Sequence, residues 1–237
     1  MVSNLLADST RLLLAVASPV EFKAVLQGAG VVDDEVPPLW ETRELDSISI
    51  LHTGVGKANA AGAVARELTR QAYGGVLSIG LAGSFDQKVS LCTSFLGINH
   101  YMLDEGAIVN PKGAVVKSET GWMSIEDAGW ATVSVKPDHG VLMNFFRTLV
   151  DNVGDVGTVS TISGTNDLSA EYQKRFKVRI ETMESGAIAQ TCSILKVPFA
   201  DIRVISNFCG ERTKDNHDFP GALKKMAEIS AKIFQQL

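Results

Sequence analysis

Residues 181–207 read ETMESGAIAQTCSILKVPFADIRVISN. The polar opening predicts a helix over 181–192, Val197-Pro198 breaks it, and the apolar run from Ala200 to Asn207 follows as a strand. This order puts Met183 and Glu184 at one helix mouth and Asn207 at the carboxyl end of the next strand. In open α/β sheets that rim is where ligands collect.

Working outward, the same alternation recurs. Residues 11–17 form an apolar strand, Ser18-Pro19 supplies a cap and a first-turn proline, and a helix over 20–27 closes at Gly28 and Gly30. A strand over 47–52 leads through Gly54-Val55-Gly56-Lys57 into a helix over 58–71 with Ala61, Val64, Ala65 and Leu68 on one face. Further strands are expected at 76–80, 94–98, 157–163 and 199–206. Ala222, Leu223, Met226, Ile229 and Ile233 stripe a terminal helix. The stretch 99–138, with Asp104-Glu105-Gly106, Asn110-Pro111-Lys112-Gly113 and 122–130, reads as loops and short hairpins. The expected class is α/β, three-layer, a central mixed β-sheet flanked by helices. No linker-like segment divides residues 1–237, so one domain is expected.

With 237 residues and 45% hydrophobic composition the chain has ample material for a core. A net charge of −5 and a pI near 5.4 argue against nucleic-acid binding and for a small-molecule ligand. Cys92, Cys192 and Cys209 form neither a CxxC pair nor an even framework and read as reduced cytoplasmic thiols. The run from Leu12 to Ala17 is too short to cross a bilayer and lacks a signal peptide's flanks, so no membrane association is expected. His52, His100, His139 and His217 are scattered, and neither a metal nor a cofactor is expected.

Taken singly, the polar residues at the rim have ordinary structural readings. Glu21 is a first-turn acid suited to the helix dipole, Glu184 a helix-start acid beside the core residue Met183, Asn207 a turn former, and Gly54-Val55-Gly56-Lys57 a tight turn. As a set they resemble the purine nucleoside phosphorylase and nucleosidase superfamily. Ala17-Ser18-Pro19-Val20-Glu21 fits the nucleosidase context of a catalytic glutamate after the first strand, and no phosphorylase-type Gly-Asp-Pro loop replaces it. Gly80-Leu81-Ala82-Gly83 matches the Gly-x-x-Gly that ends a later strand, although Leu81 stands where a serine is common.

The resemblance implies a hydrolase working on a nucleoside. Glu21 would be the general base on the attacking water, and Glu184, with Met183 packed on the sugar, would accept from ribose hydroxyls. Arg203 would order the carboxylates. Leu81, Ala82, Gly83 and Ser206 would bind substrate, the backbone of Ala82 and Gly83 facing nucleophile and sugar in place of a hydroxyl at position 81. Asn207 stands where adenine-specific relatives have aspartate, and its amide can donate to O6 and accept from a protonated N7, the pattern of a 6-oxopurine. The relatives' stacking phenylalanine has no match near Ser163-Gly164, so Phe208 is the candidate. The resemblance also implies a homo-oligomer. The alternatives are a methylthioadenosine/S-adenosylhomocysteine nucleosidase, a purine nucleoside phosphorylase, or a nucleoside-binding relative without turnover.

Overall fold

In the first strand, β1 (Arg11–Val16), Leu12, Leu14 and Val16 enter one buried cluster while Leu13 and Ala15 enter another. A strand covered on both faces has no solvent side, which is why its sequence is continuously apolar. The computed structural model of the chain describes residues 11–108, 121–211 and 213–237. After β1 come α1 (Pro19–Gly28), β2 (Thr42–Leu45), β3 (Ile48–His52), α2 (Lys57–Arg70), β4 (Tyr73–Ser84) and β5 (Ser94–Met102). A small hairpin, β6 (Gly106–Ile108) and β7 (Trp122–Ser124), stands apart from the main sheet. The chain continues through β8 (Ser134–Val135), α3 (Leu142–Arg147), β9 (Asn152–Thr158), α4 (Asn166–Arg175), β10 (Ile180–Thr182), α5 (Ser185–Leu195), β11 (Phe199–Phe208) and α6 (Phe219–Gln236).

The main sheet has the order β10-β9-β5-β11-β4-β1-β3-β2, with β8 on β5. Pairings of β1 with β3 and β4, and of β4 with β11, are parallel, whereas β5 runs antiparallel to β11, so the sheet is mixed. The last residues of β4, Gly83 and Ser84, also pair with β10, curling that half of the sheet back on itself. Helices α1 and α6 cover one face and α2 and α5 the other. This is the three-layer mixed α/β architecture read from the sequence.

The differences lie in the short elements. Glu181 does not open the helix. Residues 180–182 are instead a buried strand paired with β9 and β4, and α5 starts at Ser185 with Glu184 as its N-cap residue. Strand pairing on two sides overrides the local helix preference there. The run expected over 157–163 is displaced to β9, ending at Thr158, and the third strand extends in both directions to become the twelve-residue β4. In α2 the fully buried stripe is Ala60, Ala63, Val64 and Glu67, because the Tyr73 hydroxyl donates to Glu67 Oε1 at 2.7 Å and draws that acid inward. Strands β2 and β10 and helices α3 and α4 carry too little periodicity to be read in advance. Residues 110–113 lie outside the described residues.

Candidate active site

The loops at the carboxyl ends of β1, β3, β4, β10 and β11 meet around a cavity of about 290 Å³. Glu21 reaches it from the first turn of α1. Its N–H donates to Ser18 Oγ at 3.4 Å, and its Oε2 accepts from Ser18 N at 3.0 Å and Ser18 Oγ at 2.5 Å, a reciprocal cap. Oε1 accepts from the Leu81 amide at 2.8 Å, tying α1 to the end of β4. The Leu81 N–H is therefore committed to Glu21. Both oxygens are oriented by short donors, and each keeps acceptor capacity toward the cavity.

Glu184 faces the same cavity from the mouth of α5, with only 6% of its surface exposed. Its Oε1 accepts from Gly56 N at 2.9 Å, so the glycine turn after β3 touches the site directly. Gly54 and Gly56 sit at φ +83° and +93°, values that side chains other than glycine rarely adopt. Burial pushes the Glu184 carboxyl above the ordinary range. Arg203 pulls it back, Glu21 raises it again, and the Gly56 hydrogen bond lowers it.

Arg203 is the largest fully buried side chain among the described residues. Its Nη1 lies 3.7 Å from Glu184 Oε2, while Nε donates to Asp201 Oδ1 at 2.8 Å and Nη2 donates to Ser78 Oγ. Gly80 leaves the room: a Cβ there would lie 2.5 Å from Arg203 Nη1 and 2.8 Å from Glu21 Oε1. The guanidinium thus stands behind both carboxylates. Burial alone would push it down, but Asp201, Glu184 and Glu21 hold it charged.

Across the cavity, Ser206 and Asn207 end β11, where a bulge shifts the register between Ile205 and Asn207. The Asn207 amide is fixed from both ends. Oδ1 accepts from Ser206 Oγ at 3.0 Å, and the NH₂ donates to the Phe208 carbonyl at 3.0 Å. A carbonyl can only accept, so this contact identifies the amide's nitrogen end. One N–H and part of the oxygen's capacity stay available to a ligand.

Of the residues expected at the site, Glu21, Leu81, Ala82, Gly83, Met183, Glu184, Ser206 and Asn207 line the cavity together, and Arg203 lies directly behind it. Phe208 is not among the lining side chains. The aromatic lining residue is Phe219, the first residue of α6, with Ile162 also present. The Asp218 cap followed by Phe219-Pro220 marks a helix start facing the same rim, a signal that could have pointed to it. Glu181 was also missed as a lining residue. Its carboxylate accepts from Ser163 N at 3.1 Å and shapes the adjoining loop.

The family model described as Phosphorylase superfamily matches residues 139–237. A futalosine hydrolase from Acidothermus cellulolyticus is 27% identical over 231 residues, covering 95% of this chain and 91% of that protein. A 5'-methylthioadenosine/S-adenosylhomocysteine nucleosidase from Glaesserella parasuis is 27% identical over 187 residues, covering 77% and 78%. Among solved structures, a futalosine hydrolase mutant of Helicobacter pylori superposes with a TM-score of 0.74 at 17% identity over 96% of this chain and 98% of that one, a likeness of fold. Over its C-terminal part the chain thus matches the Phosphorylase superfamily model, and its fold is that of solved nucleosidases. Within that class its likeness runs over nearly its whole length to futalosine hydrolase.

Proposed function

We propose that the chain hydrolyses the N-ribosidic bond of a 6-oxopurine nucleoside, futalosine being the best candidate, with release of hypoxanthine. The observation that carries this reading is that Glu21, Glu184 and Asn207, from three distant segments, line one cavity. Glu21 takes a proton from the water that attacks the anomeric carbon. Glu184 accepts from the ribose hydroxyls while positive charge grows on the sugar, and Asn207 donates to O6 and accepts from N7–H as the base departs. The C–N bond breaks with its electron pair on the base, and the proton from water ends on the purine.

A long substituent on the ribose needs more room than this cavity. An adjoining groove of about 710 Å³ shares Val55 and Met183 with it and gives such a substituent a path. The relatives that act on methylthioadenosine support a second reading with adenine as the base, and Asn207 is the residue that argues against it. Action as a homo-oligomer in the cytoplasm, in menaquinone biosynthesis, belongs to the same proposal. Among the described residues no helix is long and apolar enough to cross a membrane.

The test is incubation with futalosine, inosine, adenosine and methylthioadenosine, with and without phosphate, reading free base and the form of the sugar. Hypoxanthine release independent of phosphate is expected. Release that requires phosphate, or release of adenine alone, would overturn the reading.

A further inference from the structure

Behind the catalytic carboxylates lies a buried charged group that the chemistry above does not use. Asp201 and His100 are both 0% exposed. Asp201 and Arg203 are two apart on β11 and so share a face. Asp201 spends only one oxygen, Oδ1, on Arg203 Nε. Its Oδ2 has no hydrogen-bond partner and faces His100 Nδ1 at 4.0 Å.

An arginine beside a buried glutamate ordinarily closes into hydrogen bonds shorter than 3 Å, often two at once. Here Arg203 Nη1 stops 3.7 Å from Glu184 Oε2, too far for a hydrogen bond. The other two edges of the guanidinium fork are held elsewhere, Nε by Asp201 and Nη2 by Ser78. Glu184 Oε1 is occupied by the Gly56 amide, so Oε2 is the oxygen left for a ligand.

We infer that Asp201 is a positioning residue: with Ser78 it anchors the Arg203 fork away from Glu184, and it shares the guanidinium charge so that Glu184 Oε2 stays open to a ribose hydroxyl. The inference rests on the reading of Glu184 as the ribose acceptor. His100 completes the arrangement by remaining neutral. Burial pushes it down to about 4, against the pull of Asp201, so it does not compete with Arg203 for that carboxylate. The charged groups around Glu184 are Arg203, Glu21 and Asp201. The titratable and charged groups around His100 are Asp201, Arg203, His139 and Asp155.

Asp201→Asn keeps an oxygen for Nε but removes the charge, so the full guanidinium charge falls on Glu184. Its titration, followed by carboxyl-carbon NMR, should move down by about one pH unit or more, and the acid limb of kcat/KM should move with it. At neutral pH kcat/KM should fall about 10-fold as Glu184 closes onto Arg203. Asp201→Glu should restore part of the titration, and Ser78→Ala should lower kcat/KM several-fold without moving the acid limb.

A Glu184 titration unchanged in folded Asp201→Asn would overturn the inference, as would wild-type kcat/KM in Ser78→Ala, which carries the test if Asp201→Asn does not fold. The titration needs no turnover. A wild-type protein inactive on every nucleoside would therefore sink the functional reading separately.

Discussion

The amide of Gly56 donates to Glu184 Oε1 at 2.9 Å across 128 positions of sequence, joining the turn after β3 to the mouth of α5. Position 56 has open space around it, so a methyl group would meet nothing. Its φ of +93° is what excludes a side chain. Gly56→Ala should cost about 1–3 kcal/mol of backbone strain or relax the turn, taking the amide away from Glu184. A lower urea midpoint and a kcat/KM reduced about 10-fold are expected. Wild-type kinetics would mean the turn is only a connector.

Glu21→Gln tests the base and the cap together. The carboxylate accepts from Ser18 N, Ser18 Oγ and Leu81 N, and a glutamine must turn its NH₂ toward one of these donor sets. Turnover should fall by about 10²-fold or more, and stability by about 1 kcal/mol, readable in a denaturant titration. Near-normal turnover in a folded variant would remove Glu21 from the mechanism.

Asn207→Asp replaces the NH₂ that donates to the Phe208 carbonyl at 3.0 Å, and in the proposed reading also to O6, by a carboxylate oxygen that donates to neither. Hypoxanthine release should fall by about 5- to 150-fold, equivalent to about 1–3 kcal/mol. Release of adenine from a nucleoside with the same sugar should fall less or rise, because a carboxyl group can accept from the exocyclic amine. An unchanged ratio of the two bases would mean that Asn207 does not read the purine.

His100 is expected to make the fold acid-sensitive. Burial lowers it from 6.5 to about 4, so between those pH values the unfolded chain binds a proton that the folded chain refuses. Stability is therefore complete above pH 6.5 and is lost as the pH falls toward 4. The contribution is about 3 kcal/mol at most. Urea midpoints at neutral and acid pH should show a smaller loss in His100→Gln than in the wild type. Equal losses would place the acid sensitivity elsewhere.

The long central strands and the capped helices were legible because each signals through its own residues: Leu12 to Val16 as a run, Ser18-Pro19 as a start, the stripe of α6 as a period. Glu21, Glu184 and Asn207 have ordinary structural readings one by one and stood out only through the family resemblance; the structure brings the three to one cavity. The short strand β10 was not, since its three residues acquire their conformation from β9 and β4 and not from one another. Gly56 was read as a turn because its partner, Glu184, is distant in sequence and the bond uses backbone. Phe219 was overlooked in favour of Phe208 because nearness to Asn207 in sequence is not nearness across the cavity.

The bulge in β11 separates two kinds of selection on one strand. Up to Ile205 every residue is buried in the sheet, and a change there is a change in foldedness. At the register shift, Ser206 and Asn207 both line the cavity. Asparagine and aspartate codons differ by a single nucleotide. On the proposed reading of Asn207, a lineage with this scaffold stands one point mutation from trying the other purine, so its base preference would drift on a much shorter timescale than its architecture.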